Sequence, residues 1–125
     1  MNVPTNLRYT ESHEWVKEEG DSVLIGITDH AQHELGDLVF INLPNAGDSV
    51  NKGEAFADVE SVKAVSDIIS PVSGKVAAVN EDLLDTPELI NQDAYAAWII
   101  RVKDVKGMDS LLTPGQYEEL LRSEG

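Results

Sequence analysis

The stretch from Gly53 to Pro71 constrains this chain more than any other. Lys63 stands near its centre and is the only base between Lys52 and Lys75. Apolar, largely β-branched runs lie on both sides. Gly53 opens the stretch, and Pro71 and Gly74 close it. That pattern predicts two strands folded back on a turn that holds up a single lysine. A lysine in an exposed turn is ordinarily just solvated. Here Ser61 and Ala64 are small, so the amine stands sterically bare, and a hairpin gives it a defined position that a loose loop does not.

The remaining composition narrows the setting. A length of 125 residues fits one domain, residues 1–125. A hydrophobic fraction of 42% is enough to build a core. No apolar run approaches the roughly 20 residues that span a bilayer. The start, Met1-Asn2-Val3-Pro4-Thr5-Asn6, lacks a signal or transit pattern, so a cytoplasmic protein, or one whose presequence is missing, is expected. With 23 acids against 9 bases the net charge is −14. This argues against nucleic acid and anionic membrane as partners, and favours proteins with basic docking surfaces. There are no cysteines, so disulfides, thiolate metal sites and cysteine nucleophiles are excluded.

Along the chain, residues 7–17 read as one or two short strands bent near Glu11-Ser12. Glu18-Glu19-Gly20-Asp21 is a hairpin turn. Residues 22–27 alternate as a strand with Val23, Ile25 and Ile27 on one face. Thr28 is a helix N-cap, Asp29 suits the first turn, and Gly36 is a stop, which predicts a helix over 29–35 with Ala31 and Leu35 inward. Residues 37–43 form a strand, and 48–53 a polar turn. Residues 75–80 form the next strand, with a short helical turn at Thr86-Pro87. Residues 98–103 form the last strand. Thr113-Pro114-Gly115-Gln116 is a capping box opening a final helix, with Tyr117, Leu120 and Leu121 as its apolar stripe. Many short strands with Gly/Pro turns indicate a β-sandwich or barrel with peripheral helices.

Other candidates for chemistry are weaker. His30, His33 and Glu34 have spacings that share a helix face. No further ligand is visible, so His13, His30 and His33 are read as structural or solvent-facing, and no metal is expected. Ser12-His13-Glu14 has the residue types of a catalytic triad, but neighbours in sequence rarely point together, so no catalytic residues are assigned. No phosphate-cradling loop is present. The acids Glu14, Asp58, Glu60 and Asp67 read mainly as solvated surface, with Glu60 and Asp67 close enough to Lys63 to act on it electrostatically.

Glu60-Ser61-Val62-Lys63-Ala64, then Ser66-Asp67 and Pro71-x-Ser73-Gly74-x-Val76, resembles the lipoylation segment of the glycine cleavage system H protein family. Tyr9-Thr10-x-x-His13-Glu14-Trp15-Val16 is similar to the family's N-terminal signature. Gly26-Ile27-Thr28-x-x-Ala31-Gln32-x-x-Leu35-Gly36-Asp37, Leu43-Pro44-x-x-Gly47, Asn80 and Pro87-x-Leu89-x-Asn91 follow in order. Matches run from about residue 7 to 103. The chain departs from the family at Ala94, where a proline is usual, and the stretch to Trp98 is one residue short.

The resemblance implies a mainly β fold, the lipoyl-domain barrel-sandwich hybrid, with short peripheral helices and a C-terminal helix. It implies a non-catalytic carrier with lipoate joined by an amide to Lys63, presented by Glu60, Ser61, Val62 and Ala64. The arm carries an aminomethyl group from the glycine decarboxylase to the aminomethyltransferase and is reoxidised by dihydrolipoamide dehydrogenase. A lipoate ligase or octanoyl transferase loads it, and a monomer is expected. Ser12, Glu14 and Asp67 match positions lining a cleft for the arm's far end. A biotinyl carrier usually flanks its lysine with methionines, whereas Val62 and Ala64 stand here. Lipoyl domains of 2-oxoacid dehydrogenases come with linkers, which are not seen. An H-like carrier that relays octanoyl or lipoyl groups to other proteins shares every residue named. An unmodified β-protein binding a partner by its acidic face is the alternative from another class.

Overall fold

The computed structural model describes residues 2–124. The elements run β1 (Arg8–Tyr9), β2 (Glu14–Glu19), β3 (Ser22–Ile27), α1 (Asp29–Leu35), β4 (Leu38–Asn42), β5 (Ser49–Val50), β6 (Ala55–Ser61), β7 (Val65–Ile69), β8 (Ser73–Val79), α2 (Asp82–Asp85), α3 (Leu89–Gln92), β9 (Ile100–Lys106) and α4 (Pro114–Glu124). A six-stranded sheet has the order β1-β2-β3-β9-β8-β5, and a three-stranded sheet the order β4-β6-β7. Every pairing in both is antiparallel. This is the two-sheet hybrid with a C-terminal helix that the family resemblance implies.

Local chemistry sets several boundaries. The β2–β3 hairpin turns over Gly20-Asp21, and Gly20 takes a positive φ of 63° that a side chain would resist. The Thr28 hydroxyl accepts from the Ala31 N–H, and the Gly36 N–H closes α1 on the Gln32 carbonyl. At α4 the capping box is reciprocal. The Thr113 N–H donates to Gln116 Oε1 at 2.9 Å, and the Gln116 N–H to Thr113 Oγ1 at 3.2 Å.

The main core lies between the sheets, around Ile25, Ile41, Val59, Ile68, Val76 and Ile100. A second cluster of Leu7, Tyr9, Trp15, Leu24 and Tyr117 packs on the other face of β1–β3, beneath α4. Residues Val23 to Ile27 of β3 are therefore all buried, where alternation predicts a single inward face. The capping helix covers the second face, and pattern alone does not reveal a cover supplied from so far along the chain.

Two other boundaries differ from those expected from the sequence. The polar turn over 48–53 contains β5, which pairs Ser49 with Lys75 and Val50 with Gly74. Two residues between turn formers carry no period to read. The last strand starts at Ile100, and just before it the Asn80 side-chain amide takes the Trp98 carbonyl at 2.8 Å, where a ladder partner would otherwise bond. The departure at Ala94 is built into the second cluster. Ala94 is buried, and its carbonyl accepts the Trp15 indole N–H at 3.0 Å. Tyr95 next to it donates its hydroxyl to the Asn2 carbonyl at 2.6 Å.

Trp15 pairs with Gly26 in the β2–β3 register, and its indole lies flat against that glycine. A methyl group at position 26 would sit 2.5 Å from the ring. Gly26→Ala should therefore lower stability by about 1–3 kcal/mol, the usual cost of overpacking. Gly115→Ala in α4 meets nothing within 4 Å and should raise it by roughly 0.4–1 kcal/mol. Urea denaturation of the two variants checks the contrast in sign.

Candidate functional site

Lys63 lies in a three-residue connection between β6 and β7. Ser61 shapes that connection. Its hydroxyl accepts from the Lys63 N–H at 3.3 Å and from the Ala64 N–H at 3.0 Å. The Ser61 N–H donates to the Ala64 carbonyl at 2.8 Å, and the Val62 N–H to the Asp37 carbonyl at 3.1 Å. The tip is thus fastened to itself and to the end of α1. Glu60, Val62, Lys63 and Ala64 are all exposed. Among the described residues no ion pair takes up the Lys63 ammonium.

The lysine stem has a seat. A methyl group on Gly36 would stand 3.4 Å from Lys63 Cε. Gly36 is required at α1's end by its φ of 82°, and its bare backbone leaves the stem room to lie across it.

A cavity of about 180 Å³ opens beside α1, between β2 and β7. Ser12, Glu14 and Asp67, three positions far apart or adjacent only by pairs in sequence, all border it. Ala31, Leu35 and Val59 supply apolar wall. Glu14 also borders a larger depression of about 300 Å³ on its other side, with Thr10, Gly53 and Ile69.

Glu14 is the unusual member, a carboxylate only 2% exposed. Thr10 Oγ1 donates to its Oε1 at 2.5 Å and Ser12 Oγ at 2.6 Å. Burial pushes its pKa above the ordinary carboxylate value, and the two hydroxyls and the Ile69 amide on β7 pull the other way. In the sequence Thr10 stands only as part of the N-terminal signature, with no role assigned to its side chain. The signal for it is a threonine four residues before a buried acid across a turn, which only the burial makes meaningful.

The register separates Asp67 from Glu14 in kind. Asp67 pairs with Asp58, while Ser66 pairs with the wholly buried Val59. Directly paired residues share a face, so Ser66 is the β7 residue on the inner side and Asp67 lies on the outer one. Two carboxylates opposite each other repel, and Asn42 relieves this by donating to Asp58 Oδ1 at 2.7 Å.

The histidines also sort themselves. His33 is exposed on α1. His13 takes a left-handed φ of 72° in the β1–β2 turn and stacks near His30, with ring centroids 4.6 Å apart. The pairing of His30 with His33 suggested by helical spacing is replaced by one between His30 and a residue of another element.

Two packed antiparallel sheets with one lysine raised on a fastened hairpin are the arrangement of a carrier-type fold. The family model described as "Glycine cleavage H-protein" matches residues 7–124. The glycine cleavage system H protein of Bacillus licheniformis is 52% identical, with 99% of this chain and 100% of that one covered. That of a Geobacillus species is 54% identical, with 98% of each covered. The crystal structure of a glycine cleavage system H protein from Mycobacterium marinum superposes with a TM-score of 0.87 at 39% identity, covering 98% of this chain and 99% of that one. The chain belongs to the glycine cleavage system H protein family, the carrier component of that system. Among the described residues no helix is long and apolar enough to cross a membrane.

The shift at Glu14 has a signed consequence. In the pH window just above the ordinary carboxylate value of 4.5, the folded chain keeps a proton that the unfolded chain has lost. Glu14 therefore lends stability below that window, and the contribution is lost as pH rises through its folded pKa. Glu14→Gln should remove this slope, so that its stability relative to the parent rises with pH from about 4.5 upward. Denaturation curves across the acid range read it directly.

Proposed function

We propose that this chain is the lipoyl-bearing shuttle of the glycine cleavage system, with lipoate joined by an amide bond to Lys63 Nζ. The observation that carries the reading is the hairpin lysine itself: exposed, fastened below by Ser61, and without an ion pair among the described residues. The seat over Gly36 fits an extended acyl-lysine stem, and the cavity bordered by Ser12, Glu14 and Asp67 fits the far end of an arm. When attached, lipoate supplies a sulfur that takes the aminomethyl group from the glycine decarboxylase, yields it to the aminomethyltransferase and is reoxidised by dihydrolipoamide dehydrogenase.

The chain's own residues do simpler work. Lys63 is consumed as an attachment point and loses its charge. Glu14, buried with two hydroxyls donating to it, offers a carboxylate to an ammonium group and draws proton equilibrium toward its charged form when one arrives. The apolar wall of Ile27, Ala31 and Leu35 keeps water from that end. Asp67 adds charge from the outer face. The protein performs no chemistry of its own. It works in the cytoplasm as a monomer of one carrier domain, loaded by a lipoate ligase or octanoyl transferase. Exposed Val39, Phe40, Val62 and Val65 surround the tip and offer the enzymes an apolar contact beside the lysine.

Intact mass after incubation with lipoate, ATP and a lipoate ligase tests the attachment. One lipoyl increment is expected on the parent chain and none on Lys63→Arg. A folded parent chain that gains nothing contradicts the reading. The cavity has its own test in the rate at which loaded protein loses its amine to water. Glu14→Ala should speed that loss by about tenfold or more, the worth of one charge-assisted hydrogen bond. Asp67→Ala should have a smaller effect.

A further inference from the structure

We propose that His13, His30 and Glu124 form a binding site for a divalent transition-metal ion, with Zn²⁺ as the best chemical match. This goes beyond the carrier reading and does not depend on it. Three elements converge on the site: the β1–β2 turn brings His13, α1 brings His30, and the last turn of α4 brings Glu124.

The ligand atoms already face one another. His13 Nε2 lies 3.2 Å from Glu124 Oε1, and His30 Nε2 lies 4.0 Å from the same oxygen. The three ligand atoms all fall within 4.8 Å of one another. Glu34 Oε1 is 3.9 Å from His30 Nε2. A tetrahedral ion with bonds near 2.0–2.1 Å wants its ligand atoms about 3.3 Å apart. Glu124 is the most exposed of the three side chains and has the freedom to close that difference. Two imidazoles with a carboxylate and no thiolate suit Zn²⁺ or a neighbouring first-row ion rather than Mg²⁺ or Ca²⁺, which prefer all-oxygen sites.

The other side of His13 is arranged as a metal-bound imidazole requires. Its Nδ1 lies 2.8 Å from the Tyr117 hydroxyl, which lies 2.7 Å from the Thr28 hydroxyl. That chain of hydroxyls works in either direction. With Nδ1 as acceptor, the His13 Nε2–H donates to Glu124. With Nδ1–H donating to Tyr117, and Tyr117 in turn to Thr28, the Nε2 lone pair is freed for a metal. Such an outer hydrogen bond fixes both tautomer and ring orientation. Burial also lowers the pKa of His13, with His30 adding to this and Glu124 and Glu34 opposing it.

The position gives the site a consequence. His13, Ala31 and Glu34 border both this site and the 180 Å³ cavity. An ion bound here ties the wall of that cavity to the C-terminal helix.

Titration of the full chain with Zn²⁺ against a competing chelator dye, in excess Mg²⁺ to occupy the acidic surface, tests the proposal. One saturable equivalent is expected. His30→Asn and Glu124→Gln should each weaken it at least about tenfold, while His33→Asn leaves it unchanged. Long-range ¹H–¹⁵N spectra should show His13 and His30 held as Nδ1–H tautomers in the Zn²⁺-bound protein. The absence of a saturable equivalent overturns the proposal. So does binding that survives both His30→Asn and Glu124→Gln, or falls equally in His33→Asn.

Discussion

A carboxylate buried at the seam of two sheets is the constraint around which this structure is arranged. Glu14 begins β2 in one sheet, and the Ile69 amide that favours its charge lies on β7 in the other. An ionised group taken out of water is costly unless hydrogen bonds replace its hydration. The β1–β2 turn supplies them through Thr10 and Ser12. That turn is in turn held by its own backbone. Thr10 N–H donates to the Glu14 carbonyl, His13 N–H to the Thr10 carbonyl, and Thr28 N–H to the His13 carbonyl. Below it, Trp15 is locked between Gly26 and the Ala94 carbonyl. Above it, Tyr117 of α4 stacks on Tyr9 at 4.6 Å and reaches both His13 and Thr28. The second apolar cluster is therefore the foundation of the polar one.

The hairpin answers a different need. A flexible lysine is easily made; a lysine in a fixed place needs its turn fastened. Ser61 does this with one hydroxyl, and the Asp37 carbonyl ties the turn to the end of α1. Gly36 is then used twice. It ends the helix with a backbone conformation that disfavours side chains, and it leaves the space in which the lysine stem lies.

What the sequence made legible was what local chemistry decides. The β6–β7 hairpin, the Thr28 cap with its Gly36 stop, and the capping box of α4 each declare themselves within a few residues. The resemblance carried by Glu60 to Ala64 and by the flanking motifs supplied the family. What was illegible depends on contacts between distant segments. The second buried face of β3 needs α4. The two-residue β5 needs β8. The burial of Glu14 needs both sheets, and without burial Thr10 is just another hydroxyl. The face on which Asp67 lies follows from the β6–β7 register, which a single residue's slip would reverse. Helical spacing drew His30 toward His33, while the fold draws it toward His13 and Glu124.

In the reading we propose, Lys63 is the arm's attachment and the surrounding geometry serves the arm. Exchange of labelled bicarbonate into the carboxyl group of glycine, run with the glycine decarboxylase and the lipoylated chain, tests it most directly. Exchange that requires this chain, saturates with it, and vanishes with Lys63→Arg is the predicted result. Exchange sustained by Lys63→Arg, or none with fully lipoylated parent protein, would contradict the account.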